Sequence, residues 1–447
     1  MTAGPQLPSS AWAIPVRRTH TPKAPSAAPA ILLLLVLFLL SGGVLWHLGV
    51  NYDGMTGGAA AKIHPASYLA PLCLVWVMLA SGDPVGFVVR TARDAPASLL
   101  LLVTGTALLV QIALRSGTGL AGSIDTFVGP ALVMMLLVRI DPARLGPLET
   151  ALHGMMLANA GLGLAEFATG TRLFPYRLDG EVFATDPRST ALQGHPLVNA
   201  LVTATYILAL IAGGGRLRPW QRLAMLALQM GALVTFGGRS AIVAVVGLGG
   251  LYGLVATLRV LRTGRVPLLG AAAGLSLLTM APLAVVALAF GGFFDTLAER
   301  FVSDGGSANA RIEMLALLDR IPLHELMLGP DTSFVETLRR MHGLEWGIEN
   351  PIVRMVLYQG VVMTALLTLA VTLFIAEIVR RCRPGTFLPV LGFALLLNTS
   401  ESIASKTTVL AKFAILMLVL YRPLPPRYAR PASAESISGS IPKPLSA

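Results

Sequence analysis

Long apolar runs, separated by short breaks rich in Pro, Gly and Arg, recur along this chain from Ile31 to Tyr421. Runs of this length are typical of helices that cross a bilayer, each of which needs roughly 20 residues. The pattern predicts an all-α, polytopic integral membrane protein with about twelve transmembrane helices. They are expected near residues 30–46, 66–82, 97–114, 124–138, 147–168, 196–213, 220–236, 240–258, 267–290, 355–379, 386–400 and 406–421.

Two long polar segments interrupt this pattern, at residues 169–194 and 291–354. Within the second, Ala308 to Leu318 has the apolar spacing of an amphipathic helix, so we expect a structured, partly helical loop. Loops of this length in a compact architecture are usually functional. The predicted organisation is a disordered arm (1–29), transmembrane helices (30–168, 195–290 and 355–421), two polar loops (169–194 and 291–354) and a disordered tail (422–447).

Composition supports the membrane interpretation. Hydrophobic residues make up 54% of the chain and charged residues 13%, whereas a soluble domain carries about 25% charged residues. The apolar stretch Ile31 to Leu40 follows basic residues, so a secretory signal peptide is an alternative. No convincing small-residue cleavage site follows it, and we interpret it as the first span.

The net charge of +11 is explained by its distribution rather than by binding to nucleic acid. Every second connection between the predicted spans is basic, as the positive-inside rule requires. Both termini are therefore expected in the cytoplasm, and the two polar loops on the outer face. The basic connections contain Arg17, Arg18, Lys23, Arg90, Arg93, Arg139, Arg144, Arg216, Arg218, Arg222, Arg259, Arg262, Arg265, Arg380, Arg381, Arg383, Arg422, Arg427 and Arg430, and the short outer ones contain only Lys62, Arg115 and Arg239.

Arg239 stands between two apolar runs, directly after Gly237 and Gly238. A guanidinium at bilayer depth costs about 3 kcal/mol even on the lenient insertion scale. One interpretation is an interfacial arginine whose side chain reaches the lipid headgroups. The other is a functional cation that is held, with Ser240 beside it, at the outer ends of two helices.

Four short segments resemble motifs of the bacterial O-antigen polymerase and O-antigen ligase superfamily. "GGRSAIVAVV" resembles its G-S-R-G/S-A helix start, and "RSTALQGHPLVNALV" resembles its R-x-x-G-x-x-x-H-P-N segment. "ARIEMLALLDRIPLHELMLGP" and "GIENPIVRMVLYQGV" are similar to the motifs that follow in the family's outer loop. The resemblance covers about residues 185–400, and the four motifs occur in the family's order.

This resemblance implies a glycosyltransferase-C-like membrane enzyme at the periplasmic face of the bacterial inner membrane. Its donor would be a polyprenyl-diphosphate-linked glycan, and its acceptor a hydroxyl of another glycan. The leaving diphosphate gains negative charge, which fixed cations stabilise, and the planar fork of arginine binds phosphate oxygens in pairs. The predicted diphosphate-binding residues are therefore Arg188, Arg239 and Arg311. Arg311 has an alternative as a surface charge or a partner of Glu313.

The acceptor hydroxyl needs a general base. In the ligases, the resemblance would place a histidine immediately before Asn350, but here the residue is Glu349. This departure favours a polymerase of exopolysaccharide or capsule over a ligase. Glu349 is the first candidate base, with a solvated loop charge as the alternative. His342 is the next candidate, ahead of Glu345 and His324.

The remaining candidates are less specific. Asn350, Ser240 and His195 are further substrate-site candidates, and His195 has an alternative as a polar helix cap. Lys406 and Lys412 in the last predicted span are unusual, because intramembrane ionisable groups are often functional. No metal or other cofactor is expected, since the chain has no HExxH, paired-Asp or Cys-cluster motif. Cys73 and Cys382 indicate neither a disulfide nor a zinc site.

Three other functions remain open. An O-antigen ligase would pass the finished glycan to its acceptor, and a flippase or other transporter would only move it. Transporters commonly contain internal repeats, and we find no self-similar halves here. A non-catalytic subunit of an export complex is the third alternative. The expected partners are the lipid-linked glycan, the bilayer, and proteins of polysaccharide chain-length control and export, with no nucleic acid.

Overall fold

The computed structural model describes residues 26–54, 56–115, 119–178, 181–182, 188–263, 307–344, 350–399 and 403–423. In these residues the fold is all-α, apart from one two-stranded hairpin, β1 (Arg177–Leu178) with β2 (Glu181–Val182). The helices are α1 Ala28–Leu39, α2 Gly42–His47, α3 Pro65–Ala80, α4 Pro84–Asp94, α5 Pro96–Arg115, α6 Leu120–Ser123, α7 Gly129–Val138, α8 Gly146–Thr169, α9 Pro196–Ile211, α10 Pro219–Phe236, α11 Arg239–Thr263, α12 Ser307–Asp319, α13 Leu323–Leu328, α14 Thr332–Met341, α15 Pro351–Gln359, α16 Val361–Arg381, α17 Phe387–Asn398 and α18 Val409–Leu420.

Four helices are long and apolar enough to cross a membrane: Pro96–Arg115, Leu120–Val138, Arg239–Val260 and Val361–Arg381. The second of these joins α6 to α7 through a π-helical turn, Ile124–Val128. Five shorter apolar helices accompany them: α1, α3, α9, α17 and α18. The chain is therefore compatible with a membrane protein by the length and composition of its helices.

The bundle is built around α18. Every side chain from Val409 to Leu420 is buried, which is typical of a helix that is apolar all round and surrounded by other helices. It packs against α1, α7, α8, α9 and α16. Peripheral helices instead expose large apolar side chains, as expected where lipid covers them. Examples are Leu72 and Trp76 on α3, Val103 and Leu114 on α5, Val243 and Leu251 on α11, and Leu366 and Leu369 on α16.

Basic side chains gather at one end of the bundle, which we call the basic end. Arg139 pairs with Asp94, and Arg422 donates a hydrogen bond to the carbonyl of Ile140. Arg383 likewise donates to the carbonyl of Gly213 at 2.7 Å. Ile140 and Gly213 lie just beyond the ends of α7 and α9, so Arg422 and Arg383 both bind backbone carbonyls that follow a helix. We call the opposite end, where the connection 48–64 meets residues 403–408, the loop end.

The described part of the second polar loop forms a small helical unit at the loop end. Helices α12, α14 and α15 enclose their own apolar cluster, which consists of Met314, Leu317, Ile321, Val335, Leu338, Leu344, Val353 and Leu357. The amphipathic spacing from Ala308 to Leu318 predicted a helix here, and α12 confirms it. The unit is attached to the bundle at the end of α5, where Gln111 Nε2 donates to the carbonyl of Gln359 at 2.9 Å.

Each predicted span outside residues 267–290 has a helix at its position, and residues 267–290 lie outside the described residues. Two predicted spans are broken. The first divides at Ser41, whose side chain caps α2, and the tenth divides at Gly360 (φ 87°), where a side chain would strike the backbone of Gly329. The amphipathic helix α4 was not predicted, because its apolar positions are interrupted by Arg90 and Arg93.

Candidate functional site

Residues 188–195 form a stretch of non-helical backbone among the helices at the loop end, and we call it the cradled segment. Ser189, Thr190, Ala191 and Gln193 are all buried. Irregular backbone at membrane depth is tolerated only where it is buried in protein or lines a cavity, because lipid satisfies no hydrogen bonds. The polar groups of this segment must therefore be satisfied by neighbouring side chains.

Glu166 of α8 accepts hydrogen bonds from backbone N–H groups of the cradled segment. Its carboxylate accepts hydrogen bonds from the backbone N–H groups of Thr190 (2.8 Å), Ala191 (2.9 Å) and Leu173 (3.2 Å). Glu166 is itself only 3% exposed. A buried carboxylate is costly unless it is hydrogen-bonded, so Glu166 and the cradled segment stabilise one another.

Two buried asparagines complete the network. Asn159, seven residues before Glu166 on the same helix, accepts from the N–H of Leu192 at 3.1 Å. It also donates to Asn199 at 2.9 Å, and Asn199 donates to the carbonyl of Thr190. Three buried polar side chains from two helices thus fix the path of the segment.

The backbone of the segment is unusual at two positions. Ala191 has φ 40°, the only positive φ of a non-glycine residue among those described. Gly194 has φ 70°, and a Cβ there would lie 2.8 Å from Ser41. Left-handed conformations of ordinary residues cost about 1–2 kcal/mol. Such strain persists only where the surrounding contacts hold the backbone in place, which is often at functional sites.

The cradled segment also contacts the end of α10. Ser189 donates its N–H to the carbonyl of Thr235 at 3.1 Å and its hydroxyl to the carbonyl of Gly163 at 2.8 Å. After Thr235 the chain turns through Gly237 (φ 65°), and α11 begins at Arg239. The segments that carry Arg188 and Arg239 therefore meet at the loop end.

The side chains at this meeting point are at least partly exposed. Arg239 and Ser240 are exposed, and Arg188 is half-buried. His195 is the N-cap residue of α9, but its side chain makes no capping hydrogen bond. Its ring instead contacts Tyr176 edge-on, with 4.8 Å between the centroids. Two cations and an imidazole thus lie at or beside the ends of the buried segment.

Lys412 of α18 also contacts the cradled segment. Its Nζ donates to Gln193 Oε1 at 2.5 Å and lies 5.9 Å from the ring centroid of Phe38. Lys412 is 4% exposed. The other lysine that the sequence singled out, Lys406, lies before α18 begins. The two lysines therefore have different environments.

Lys406 belongs to a cluster of ionisable groups at the loop end. Its Nζ lies 3.4 Å from the centroid of the Tyr52 ring and 4.0 Å from Asp53 Oδ1. The hydroxyl of Tyr52 donates to Asp125 at 2.9 Å, and Asp125 also accepts from Ser67 at 2.6 Å. Asp125 lies on the π-helical turn, a rare conformation that is frequent at functional sites.

This cluster borders the cradled segment across the α1–α2 break. Gly42 follows Ser41 in that break, and a side chain on Gly42 would strike the carboxylate of Asp53. Burial raises the pKa of Asp53 to about 6, although Lys406 and Lys62 act to lower it. Burial, followed by the charge of Lys412, lowers the pKa of His64 to about 3, so His64 is neutral near pH 7 and donates to the carbonyl of Leu40.

The other predicted residues belong to the second polar loop. His342 Nδ1 lies 2.9 Å from Glu313 Oε2, a pairing that orients the imidazole. Asn350 caps α15 by accepting from the N–H groups of Ile352 (2.9 Å) and Val353 (3.1 Å). Glu349 and Glu345 lie outside the described residues, as does the side chain of Arg311, whose backbone is in α12. The exposed His324 lies 3.8 Å from Glu325.

Within the described ranges, no group of three His, Cys, Asp or Glu side chains is arranged to hold a metal ion. Cys73 on α3 and Cys382, directly after α16, are free thiols.

Sequence reasoning missed Asn159, Glu166 and Asn199. Their signal was present, because acidic and amide side chains inside apolar spans are expensive and often functional. Asn159 and Glu166 are also seven residues apart, which places them on one face of α8.

No family model, curated protein or solved structure matches this chain.

Proposed function

We propose that the protein is a membrane glycosyltransferase, similar to the O-antigen polymerase and ligase superfamily, that polymerises polyprenyl-diphosphate-linked oligosaccharide repeat units into exopolysaccharide, capsule or O-antigen. The hydrogen bond from Ser189 to Thr235 carries the proposal. It joins the Arg188 segment to the helix end that precedes Arg239, which supports a site to which both segments contribute.

In the proposed reaction, Arg188 and Arg239 bind the diphosphate of the donor and stabilise the charge that develops as its bond to the sugar breaks. Because each guanidinium can bind two oxygens, the pair also orients the leaving group. Arg311 is the third proposed cation, and Ser240, His195 and Asn350 remain further substrate-site candidates. The buried cradled segment would keep Arg188 fixed relative to Arg239 before the donor arrives.

The acceptor hydroxyl loses its proton to a general base, for which Glu349 is the first candidate and His342 the second. The contact between His342 and Glu313 supports His342 as the second candidate base. A carboxylate on one ring nitrogen stabilises the imidazolium that forms when the other ring nitrogen takes the proton. The mechanism proposed here needs no metal or other cofactor.

The proposal includes a location and a topology. About twelve spans in a glycosyltransferase-C-like arrangement, with both termini in the cytoplasm, would place the loop end at the periplasmic face of the inner membrane. The gathering of Arg139, Arg383 and Arg422 at the opposite end supports this orientation, because cytoplasmic ends are enriched in Arg and Lys. Proteins of chain-length control and export are the proposed partners.

The test combines deletion with one substitution. In a deletion strain we expect lipid-linked single repeat units to accumulate, as measured by gel sizing of the extracted glycan. A strain complemented with Arg239→Lys should make less polymer than one complemented with the wild type, by more than about tenfold, since lysine lacks the bidentate fork. The variant protein should accumulate to the normal level. Arg259→Lys, on the same helix towards its other end, is the matched control.

Other outcomes would contradict the proposal. Finished chains that never reach an acceptor would indicate a ligase. Repeat units that stay on the cytoplasmic side would indicate a transporter. Normal polymer from Arg239→Lys would make Arg239 an interfacial arginine without a catalytic role.

A further inference from the structure

A cleft of about 210 Å³ lies where the helical unit of the second polar loop meets the end of α5. It is separate from the cradled segment in sequence and in the helices that form it. The side chains that line it come from α5, α14 and α15. The lining residues are Ile112, Arg115, Thr332, Ser333, Glu336, Tyr358 and Gln359.

The chemistry of the cleft does not suit an anion. The guanidinium of Arg115 donates to the carbonyls of Gly329 (2.7 Å), Pro330 and Tyr358 (3.2 Å), so three hydrogen bonds from its five N–H groups hold the loop. The carboxylate of Glu336 lines the same cleft. A phosphate or carboxylate ligand would therefore meet a negative charge without a guanidinium fork directed at it.

An entirely apolar ligand is also disfavoured, because hydroxyl and carboxylate groups would lose their hydrogen bonds to water. Glu336 accepts from the Tyr358 hydroxyl at 2.5 Å and from Arg339 at 2.6 Å and 3.2 Å. A carboxylate has about four acceptor positions, so about one remains for a ligand. Although burial raises the pKa of Glu336, the hydrogen bonds from Tyr358 and Arg339 keep it below its usual value, and the group is an ionised acceptor.

The remaining polar groups suit a neutral polyol. Ser333 donates its hydroxyl to Asp331 at 2.8 Å, which leaves its oxygen as an acceptor, and a hydroxyl such as that of Thr332 both donates and accepts. Ile112 and the Tyr358 ring add an apolar wall. A sugar ring has the same combination of outward hydroxyls and an apolar face. The volume is below the roughly 300–1,000 Å³ of drug-sized sites, which leaves room for one ring.

We propose that this cleft binds one neutral pyranose unit of a glycan. Its hydroxyls would donate to Glu336 and Ser333, and its apolar face would lie against Tyr358 and Ile112. We assign this unit to the acceptor chain, away from the linkage being formed. This assignment rests on the proposed function. Sugar binding itself does not depend on it.

The experiment measures binding without turnover. Purified full-length protein in detergent is applied to an array of immobilised bacterial mono- and oligosaccharides that contain no diphosphate. We expect the wild type to bind one class of neutral sugar. Ser333→Trp, which fills the cleft, and Glu336→Gln should each weaken this binding by at least about tenfold, as expected when a site built for hydroxyls loses its partner. Thr337→Trp is the matched control, since Thr337 is exposed one turn along α14 outside the cleft.

Two results would overturn the proposal: the absence of sugar binding by the wild type, or equal binding by Ser333→Trp and Thr337→Trp. The array result is distinguishable from a failure of the proposed function. Arg239→Lys should bind the array normally whether or not it makes polymer, because the immobilised sugars carry no diphosphate.

Discussion

At the scale of single residues, two buried ionisable side chains hold the cradled segment at the loop end. Glu166 and Lys412 both contact the cradled segment, and each is less than 5% exposed. On the lenient insertion scale a charged residue at the centre of a span costs about 2.5–3.5 kcal/mol. Both side chains bind the same eight-residue stretch, so the path of this stretch depends on groups that are costly to bury.

Asp53 provides a test of the ionisable cluster at this scale. Its pKa is about 6 when folded, against roughly 3.9 when unfolded. The folded state therefore holds more protons than the unfolded state between about pH 4 and pH 6, and its stability falls as pH rises through this window. A shift of two units corresponds to about 3 kcal/mol. We expect the melting temperature of the wild type in detergent to fall from pH 4.5 to pH 7.

The measurement is differential scanning fluorimetry across that pH range. Asp53→Asn should flatten the profile, because the amide does not titrate. Asp83→Asn is the control. The pKa of Asp83 is lowered by hydrogen bonds from Gly86 and Arg90, so it stays ionised throughout. An unchanged slope in Asp53→Asn would show that Asp53 does not titrate in this window.

At the scale of elements, the helices were predictable and the cradled segment was not. Apolar runs and the Pro and Gly residues that bound them are local signals, and every described helix that fills a predicted span begins or ends near such a residue. The partners of the cradled segment are distant. Glu166 is 24 residues from Thr190, and Lys412 is 219 residues from Gln193. Hydrophobic periodicity carries no information about contacts at such separations.

Two glycines test whether the path of this segment matters. Gly194 and Gly170 have almost the same backbone conformation, φ 70° and φ 68°. A Cβ on Gly170 meets nothing within 4 Å, whereas one on Gly194 would lie 2.8 Å from Ser41. Gly170→Ala should cost only the left-handed penalty of about 1–2 kcal/mol. Gly194→Ala should cost more, because the α1–α2 break must also move.

Thermal melting of the two purified variants, together with polymer sizing in cells, separates these effects. We expect Gly194→Ala to melt several degrees below Gly170→Ala and to lose polymer. Equal melting temperatures would mean that the break at Ser41 yields easily and does not hold the segment.

At the scale of the whole molecule, the two ends of the bundle differ in charge. The sequence predicted alternating basic connections, and the structure gathers those it describes at the basic end. Which end faces the periplasm was predicted from charge alone and remains a prediction. The small helical unit at the loop end was predicted only as a partly helical loop. Its attachment through Gln111 and Arg115 could not be predicted, because it joins residues more than 200 positions apart.

Cysteine labelling tests the orientation. In a variant without Cys73 and Cys382, Thr337→Cys on α14 and Ala143→Cys at the basic end are both exposed positions. We expect an impermeant maleimide to label the first in cells with a permeabilised outer membrane. The second should be labelled only after the inner membrane is opened. The reverse pattern would invert the topology and place the proposed site in the cytoplasm.

The burial of α18 has a consequence for biosynthesis. Chains fold from the N-terminus as they are made, at about 5–20 residues per second. Gln193 is synthesised 219 residues before Lys412, so the cradled segment waits roughly 10–40 s for its last partner. Until then the bundle lacks its central helix, every side chain of which is buried in the finished fold. A ribosome that stalls before α18 would leave an inserted protein whose outer helices are in place and whose site has never formed.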